Sequence, residues 1–325
     1  MLLLSEADVQ QVLSMPDLIA AMEAALVQFS SGRVQQPLRT VLEVGDRHAF
    51  VGVMPAFVPD AEALGTKLVT VFGSNTAVGL PTHLATILLL DPNTGQLLAV
   101  MDGRYITESR TAAVSAVSVK HLALPDAGVL ALIGSGVQAR SHLEAIGHVR
   151  RLKDVRVWSP RQESRERFAR EMQPHCSAPI TPAVTAAEAV RDANIIALVS
   201  ASREPVVRSE WIADGAHVCA VGACRPDQRE MDTALVSRAR VFVDSRIGAL
   251  AEAGDVVIPL KEGAFGKDHI AGELGELAAG KISGRQQQHQ VTIFKSLGMA
   301  VEDVAAAQLA MTRATEKGLG RGAVI

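Results

Sequence analysis

The spacing of apolar positions predicts two helices near the start of the chain. Between residues 5 and 31 the apolar residues recur at helical intervals. Ser5, with Asp8 three residues later, forms a helix-start signal. Pro16 suits the first turn of a second helix, and Gly32 favours its end.

Residues 39–102 change to the spacing of β-strands. The segments that alternate or run apolar over short distances are RTVLEV, HAFVGVMPAFV, GTKLVTVFG and THLATILLLDPNTGQLLAVMDG. DPNTG, at 91–95, has the composition of a turn between two strands. Because no helical segment separates these strands, we expect an antiparallel sheet with helices on one side.

Helical spacing returns at residues 107–122, TESRTAAVSAVSVKHL. Thr107 is a candidate N-cap, which would place Arg110 in the first turn, and Pro125 follows the end of the helix. The small residues of this segment would allow the helix to pack closely against a neighbour.

From residue 128 the pattern alternates between strand and helix. The buried-strand candidates are GVLALIG, DVRVWS, NIIALVS, HVCAVGA and RVFVDS, and helical stretches lie near 138–149, 161–172, 185–193, 230–238 and 246–253. This alternation predicts a doubly wound parallel sheet. Residues 263–290 give no clear pattern. A strand, VTIFKS, then precedes a helix at 300–318, which we expect to return to the first domain.

Composition limits the class of protein. A chain of 325 residues exceeds the ~250–300 residues at which single cores stop growing, so two domains are expected. The 48% hydrophobic and 21% charged residues are typical of a soluble globular protein. A net charge of −3 and 3% aromatic residues argue against nucleic-acid binding. No apolar run approaches the ~18 residues of a membrane span, and the start of the chain does not have the pattern of a signal peptide.

The cysteines indicate a reducing compartment. Cys176, Cys219 and Cys224 are an odd number and lack the spacing of zinc ligands. We therefore expect a cytoplasmic protein with free thiols and without a metal site.

The stretch VLALIGSGVQARSHLEA predicts a dinucleotide site. Gly134 permits a tight turn after a strand, Gly136 allows the backbone to approach a pyrophosphate, and Ala139 keeps helix and strand close. The pyrophosphate would then lie at a helix N-terminus, where free N–H groups and the helix dipole favour anions.

The end of the second strand of this domain bears on the choice of cofactor. An NAD site usually has Asp or Glu there for the ribose hydroxyls, whereas this chain has Ser159, Pro160 and Arg161. A 2′-phosphate would be attracted by Arg161, so NADP(H) is favoured, with NAD(H) as the alternative. Arg161 as a merely solvated residue of the next helix is the other interpretation.

Three basic residues of the first domain lie in apolar or strand-rich segments. They are Arg39 in PLRTVLE, Lys67 in GTKLVTV and Arg110 in ESRTAA. A buried charge is costly unless it is paired, so each could simply form a salt bridge. Together they favour an anionic substrate, most simply a carboxylate.

Several segments give the chain a resemblance to a known family over nearly its full length. They are GTKLVTV, LLAVMDGRYIT-x-x-RTAAVSA, IGSGVQA, AVGACRPDQRE-x-D, the strand end VDS and TIFKSLGMAVEDVAAA. The chain resembles the ornithine cyclodeaminase/mu-crystallin family, and most closely its mu-crystallin, or ketimine reductase, branch. The resemblance implies a homodimer with an α+β substrate-binding and dimerisation domain (residues 1–113 and 301–325) and a Rossmann dinucleotide-binding domain (residues 114–300).

The resemblance also implies roles for individual residues. Arg110 would bind the substrate carboxylate, Lys67 would face the substrate, and Arg39 would be a further active-site arginine. The cofactor set is Gly134, Gly136, Val137, Gln138, Ser159, Pro160, Arg161, Val199, Ser200, Val221, Gly222, Ala223, Ser296 and Leu297. The nicotinamide would lie over the Gly222–Ala223 turn.

One position departs from the cyclodeaminase pattern. Ornithine cyclodeaminases have an Asp that acts on the substrate amine in the turn after the fifth Rossmann strand, where this chain has Cys224. A thiol with an ordinary pKa of ~8.5 is a poorer proton acceptor near neutrality. This departure argues against cyclodeamination, although a tuned thiolate at Cys224 could still act as a base.

The function that these observations predict is NAD(P)H-dependent reduction of a small 2-imino acid. A cyclic ketimine such as 1-pyrroline-2-carboxylate or 1-piperideine-2-carboxylate is the expected substrate. A protonated imine is already electrophilic, so positioning should supply much of the rate. Glu43 and His83 are weaker candidates for shaping the site or moving protons, and His83 could equally be a structural hydrogen-bonding residue.

Three alternatives remain open at this point. The first is an acyclic imine reductase or amino-acid dehydrogenase that forms alanine or aspartate, in which Arg225 could meet a second carboxylate. The second is ornithine cyclodeamination, against which Cys224 argues; for the imine reductase itself, Lys67, Arg110 and Cys224 are the candidate catalytic residues. The third is a non-catalytic, NADPH-dependent binding protein for a small molecule.

Overall fold

The computed structural model describes residues 1–47 and 49–324. His48, in the predicted strand HAFVGVMPAFV, and Ile325, at the end of the predicted first domain, lie outside the described residues. The strands are β1 (Leu2–Leu4), β2 (Thr40–Glu43), β3 (Ala49–Val58), β4 (Ala63–Phe72), β5 (His83–Leu90), β6 (Leu97–Asp102), β7 (Val129–Ile133), β8 (Asp154–Trp158), β9 (Ile180–Pro182), β10 (Ile195–Leu198), β11 (His217–Ala220), β12 (Arg240–Val243), β13 (Ile270–Glu273), β14 (Thr292–Lys295) and β15 (Arg321–Gly322).

The α-helices follow the same order along the chain. They are α1 (Glu6–Val12), α2 (Met15–Ser30), α3 (Arg104–Leu122), α4 (Val137–Val149), α5 (Gln162–Met172), α6 (Ala186–Val190), α7 (Thr233–Arg238), α8 (Arg246–Glu252), α9 (Gly254–Lys261), α10 (Leu274–Ala278) and α11 (Ala300–Lys317).

The chain divides into two compact units. Unit 1 comprises Met1–Arg110 and the segment that begins at Gly298, and unit 2 comprises Thr111–Leu297. The first boundary between the units follows Arg110, whereas the family resemblance implies a boundary after residue 113. The second boundary precedes Gly298, whereas the resemblance implies a boundary before residue 301.

Unit 1 is built on a seven-stranded sheet in the order β15-β1-β6-β5-β4-β3-β2. Neighbouring strands are antiparallel except β1 and β6, which pair in parallel. Alternate residues of β4 and β5 are buried, and α11 packs against β3, β4, β5 and α2. The predicted antiparallel meander and the return of the last helix are therefore confirmed, whereas β1 and β15 were not predicted.

The helix-capping residues and the turn that the sequence predicts in unit 1 are present in the structure. Ser5 caps α1 in a reciprocal capping box with Asp8, and Pro16 lies in the first turn of α2. Gly32, with φ +76°, follows the end of α2. In the predicted turn at 91–95, the Asp91 carboxylate accepts two backbone N–H groups.

The predicted N-cap at Thr107 is wrong. The helix begins three positions earlier, at Arg104, and Thr107 lies inside it with its hydroxyl donating to the Gly103 carbonyl. The Asp102 side chain accepts the N–H groups of Arg104 and Tyr105 instead, at 3.0 and 3.3 Å. The Asp102 carboxylate, just before the helix, therefore accepts hydrogen bonds from backbone N–H groups of the first turn, which have no partner within the helix.

Unit 2 contains an eight-stranded parallel sheet in the order β13-β12-β14-β11-β10-β7-β8-β9. The chain moves outward from β7 through β8 to β9, and then returns to the other side of β7 at β10. The predicted doubly wound parallel sheet is confirmed. The reversal of strand order falls between β7 and β10, where ligands of such sheets bind at the carboxyl ends of the strands.

Among the described residues, no single helix is long and apolar enough to cross a membrane. The sharply bent pair Glu6–Val12 and Met15–Ser30 meets the criterion by length and composition only.

Candidate active site

Lys67 lies inside unit 1 next to an acid from the last helix. It is on the inward face of β4 and is 2% exposed. Its Nζ is 2.5 Å from Asp303 Oδ2 in the first turn of α11. Burial lowers the pKa of Lys67 to about 8, and Asp303 opposes this shift only in part.

Arg110, on α3, joins the same cluster. Its Nε is 2.9 Å from Asp303 Oδ1, and its Nη1 is 2.5 Å from Glu302 Oε2. Burial acts to raise the pKa of Asp303, but the charges of Arg110 and Lys67 prevail and hold it below its usual value. Two cations and two acids thus form one buried cluster, which satisfies the requirement that buried charges be paired.

Arg39 and His83 flank this cluster. Arg39 Nη2 is 3.5 Å from the Gly298 carbonyl oxygen, and the Arg110 guanidinium packs against the same glycine. Burial, with Lys67 and Arg110 nearby, lowers the pKa of His83 to about 4, so its imidazole is neutral at pH 7. The fold thus brings together the three basic residues that the sequence singled out, a set of donors that suits a carboxylate.

Sequence reasoning missed Glu302 and Asp303. Both lie in the quoted segment FKSLGMAVED, but acids in the first turn of a helix are usually solvated residues that suit the helix dipole. The signal that could have identified them is the need of Lys67 and Arg110 for buried partners. Glu43, a weaker candidate, is exposed on β2.

The glycine-rich turn after β7 has the form of a phosphate-binding turn. Gly134 has φ +125°, and a side chain there would lie 2.6 Å from the Val199 carbonyl oxygen. Gly136 is the N-cap of α4 and offers no side chain to the first N–H groups of that helix. Val137 and Gln138 form its first turn, so these donors point to an anion site.

The end of β8 carries hydroxyl and basic groups. Ser159 is buried, and its Oγ accepts from the Ser135 hydroxyl at 3.0 Å. Pro160 and Arg161 are exposed, and Arg165 Nη1 donates to the Ser159 carbonyl at 3.0 Å. No carboxylate follows this strand directly, as the sequence indicates.

The remaining cofactor candidates follow neighbouring parallel strands. Val199 and Ser200 follow β10; Val221, Gly222 and Ala223 follow β11; Ser296 and Leu297 follow β14. Because β7, β10, β11 and β14 are adjacent and parallel, these residues lie at the same edge of the sheet as Gly134. The Ser296 hydroxyl is buried and has no hydrogen-bond partner among the described residues, so it is available to a ligand.

Two residues predicted for the substrate site belong to unit 2. Cys224 is a partly buried cysteine outside any disulfide, and its Sγ lies 3.2 Å from the Val221 carbonyl oxygen. Arg225 is half exposed and lies 3.6 Å from Asp227, measured from Nε to Oδ1. Arg225 therefore already faces a carboxylate of its own loop.

A second buried charge cluster, which the sequence analysis did not single out, lies behind the loops of unit 2. It consists of Glu230, Asp255 and Lys295, all fully buried. Glu230 accepts hydrogen bonds from Ser200 and Gly222, two of the cofactor candidates. No sequence pattern connects these three residues, because each comes from a different element.

The fold defines a protein class, one with a parallel sheet of the dinucleotide-binding type in one unit and an antiparallel-rich sheet with buried, paired cations in the other. The model of the ornithine cyclodeaminase/mu-crystallin family matches residues 1–318, and the chain belongs to this family.

Individual relatives are similar over almost their whole length. Ketimine reductase mu-crystallin from Mus musculus is 46% identical over 297 residues, 90% of each chain. A Delta(1)-pyrroline-2-carboxylate reductase from Bacillus cereus is 36% identical over 321 residues, 98% of each chain. Among solved structures, Thermococcus litoralis Delta(1)-pyrroline-2-carboxylate reductase, in complex with NADH and L-proline, is 40% identical with a TM-score of 0.97, covering 99% of this chain and 100% of the other.

Proposed function

We propose that this protein is a nicotinamide-dependent imine reductase that converts a small cyclic 2-imino acid into the cyclic amino acid. The buried cluster of Lys67 and Arg110 with Glu302 and Asp303 carries the proposal, because its acids fix two buried cations in the arrangement that a carboxylate site needs. The relatives named for ketimine and Δ1-pyrroline-2-carboxylate reduction support the C=N bond as the one reduced.

Unit 2 fits a nicotinamide dinucleotide. Gly134 leaves no room for a side chain, Gly136 leaves the N-terminus of α4 uncovered, and the Ser296 hydroxyl is a buried group without a partner among the described residues. Gly136, Val137 and Gln138 would hold the pyrophosphate, and Gly222, Ala223, Ser296 and Leu297 would hold the nicotinamide. When bound, the reduced cofactor supplies the hydride.

Unit 1 positions the substrate. Arg110, whose Nε and Nη1 are held by Asp303 and Glu302, contributes a fixed positive charge for the carboxylate, Lys67 adds a second charge, and Arg39 a third. Asp303 keeps Lys67 and Arg110 in place by contacting both. Because a protonated imine is already electrophilic, this fixed orientation provides much of the rate without a strong protein acid. His83 is neutral at pH 7 and therefore adds no repelling charge beside the imine.

The alternatives account less well for the site. A dicarboxylate substrate would need a cation besides Lys67, Arg110 and Arg39, and the candidate for this role, Arg225, is half exposed in a loop of unit 2. Cyclodeamination would need a base where Cys224 stands. A non-catalytic binding protein would need the same cofactor-binding and carboxylate-binding residues. Only an activity assay can therefore distinguish it from a reductase.

The decisive assay is oxidation of NADPH and NADH by purified protein, followed by absorbance. The substrates are 1-pyrroline-2-carboxylate, 1-piperideine-2-carboxylate, pyruvate with ammonia, and oxaloacetate with ammonia. We expect turnover of the cyclic imines. Turnover only with a keto acid and ammonia would assign the protein to the acyclic reductases. Inactivity throughout, with cofactor still bound, would favour the binding protein.

Carboxylate binding should weaken above about pH 8, because Lys67 loses its charge there. Pyrrole-2-carboxylate is a suitable probe, since none of its groups titrates near this pH. Calorimetry should give an affinity that falls as pH rises through about 8 in the wild-type protein. The Lys67→Met variant should bind more weakly and independently of pH. A flat wild-type profile would remove Lys67 from the carboxylate site.

For the form of the cofactor, we infer NADPH, because Arg161 follows β8 and the adjacent positions 159, 160 and 162 carry no carboxylate. The Arg161→Ala variant should bind NADPH roughly tenfold more weakly and NADH equally well, since only the 2′-phosphate contact is lost. Arg167→Ala, an exposed arginine of the same helix, is the matched control. Equal losses for both cofactors would assign Arg161 a role other than discrimination.

We further propose that the protein is a homodimer formed through unit 1. Leu42, Leu68 and Leu84, on strands β2, β4 and β5, are 65%, 38% and 39% exposed. A second copy would remove this apolar surface from water. Sedimentation should therefore give twice the monomer mass of 34.4 kDa. A monomer at micromolar concentration would contradict the proposal.

A further inference from the structure

Glu230 lies directly behind the turn assigned to the nicotinamide. Its Oε1 accepts the Ser200 N–H at 2.8 Å and the Ser200 hydroxyl at 2.7 Å, and its Oε2 accepts the Gly222 N–H at 2.7 Å. A side chain at Gly222 would collide with the Ser200 carbonyl and lie 2.6 Å from Glu230 Oε1. The carboxylate thus joins the loops that follow β10 and β11, and no side chain separates it from the Gly222 backbone.

Two further charged groups face Glu230. Asp255, on α9, accepts the backbone N–H of Glu230 at 2.8 Å through Oδ1, and its Oδ2 lies 3.1 Å from Lys295 Nζ at the end of β14. The Cys224 thiol, in the loop after β11, interacts with Lys295. Burial and then Asp255 raise the pKa of Glu230 to about 7, against the opposing effects of Lys295 and Ser200. The charge of the Glu230 carboxylate, which lies behind the turn, therefore changes around pH 7.

We infer that Glu230 is a positioning residue for the nicotinamide and that its negative charge favours the oxidised, positively charged ring over the reduced, neutral ring. The physical reason is Coulomb attraction in a poorly solvated environment, which acts on a pyridinium and not on a dihydropyridine. The inference rests on the proposed function only for the identity of the ligand. Its consequence is that the relative affinity for the two redox forms depends on pH.

Calorimetry with NADP⁺ and NADPH, between about pH 6 and pH 8.5, tests the inference on the whole protein. The ratio of the NADPH to the NADP⁺ dissociation constant should rise at least about threefold in the wild type as Glu230 loses its proton. Titration of the 2′-phosphate affects both forms and cancels in the ratio. In Glu230→Gln the change centred near pH 7 should be absent, which leaves only the change near pH 8 at which Lys67 loses its charge. Glu204→Gln, an exposed acid of the loop after β10, is the matched control and should behave as the wild type.

The outcomes separate this inference from the proposed function. A wild-type ratio that is constant with pH, or a change near pH 7 that persists in Glu230→Gln, overturns the inference and leaves the reductase in place. A wild-type protein that binds neither form overturns both. If Glu230→Gln does not fold, Ser200→Ala replaces it, because loss of one hydrogen bond to the carboxylate should move the change to higher pH. If the ratio of dissociation constants changed at the same pH in Ser200→Ala as in the wild type, the inference would be overturned.

Discussion

Replacing Arg110 with alanine is expected to lower kcat/KM by about a hundred- to a thousandfold, while cofactor binding is retained. Removing one partner of a buried, hydrogen-bonded charge pair costs about 2–5 kcal/mol, and each 1.4 kcal/mol is about tenfold. The cofactor residues all belong to unit 2, whereas Arg110 and its partners Glu302 and Asp303 belong to unit 1. Steady-state kinetics on the cyclic imine and calorimetry with NADPH would measure the two effects separately.

Two companion variants make the Arg110 result interpretable. Arg110→Lys keeps the charge that Glu302 and Asp303 need but loses the planar fork, so kcat/KM should still fall at least about tenfold. Arg104→Ala, on the same helix, removes partly exposed pairs with Glu6 and Glu108, neither of which belongs to the buried cluster, and should change kcat/KM by less than about threefold. A weaker affinity for NADPH, together with an unchanged kcat/KM for the imine at saturating NADPH, would show that Arg110 does not bind the carboxylate.

Replacing Asp303 with alanine is expected to lower the free energy of unfolding by about 3–5 kcal/mol. Asp303 contacts both Lys67 and Arg110, and its loss would leave two buried cations to share Glu302. Urea denaturation followed by circular dichroism measures this effect. Tryptophan fluorescence would not suffice, because Trp158 and Trp211 both belong to unit 2.

The control for Asp303 is an acid of the same helix in an exposed pair. Glu316 lies 3.2 Å from Arg313, with side chains 56% and 42% exposed. Glu316→Ala should change the free energy of unfolding by less than about 1 kcal/mol. Equal effects of the two substitutions would mean that the buried cluster contributes no more to stability than a surface pair.

Strand content was predictable where the apolar runs were long and central. The strands at the middle of the unit 2 sheet are fully buried, and the apolar segments that contain them are recognisable in the sequence. The edge strands β9 and β13 were missed, because Ile180–Pro182 spans three residues and Ile270–Glu273 lies in a glycine-rich segment. Short edge strands owe their pairing to the neighbouring strand rather than to their own pattern.

Only the basic residues of the candidate site were predictable from the sequence. Lys67 was noticeable because a lysine interrupts an apolar strand, and Arg110 lies in a motif that resembles the family. Asp303 and Glu230 gave no comparable signal, since an acid in a helix or loop is ordinarily solvated. Asp303 contacts Arg110, 193 positions away, and Glu230 contacts Ser200, 30 positions away, so only the folded chain brings these partners together.

The most direct test of the central claim is isotope transfer from cofactor to substrate. Purified protein would be given 1-pyrroline-2-carboxylate and NADPH carrying deuterium at both C4 positions, and the product would be analysed by mass spectrometry and NMR. A reductase that delivers hydride to the C=N carbon gives proline with one deuterium at Cα. Proline without deuterium at Cα, or no proline at all, would contradict the proposed function.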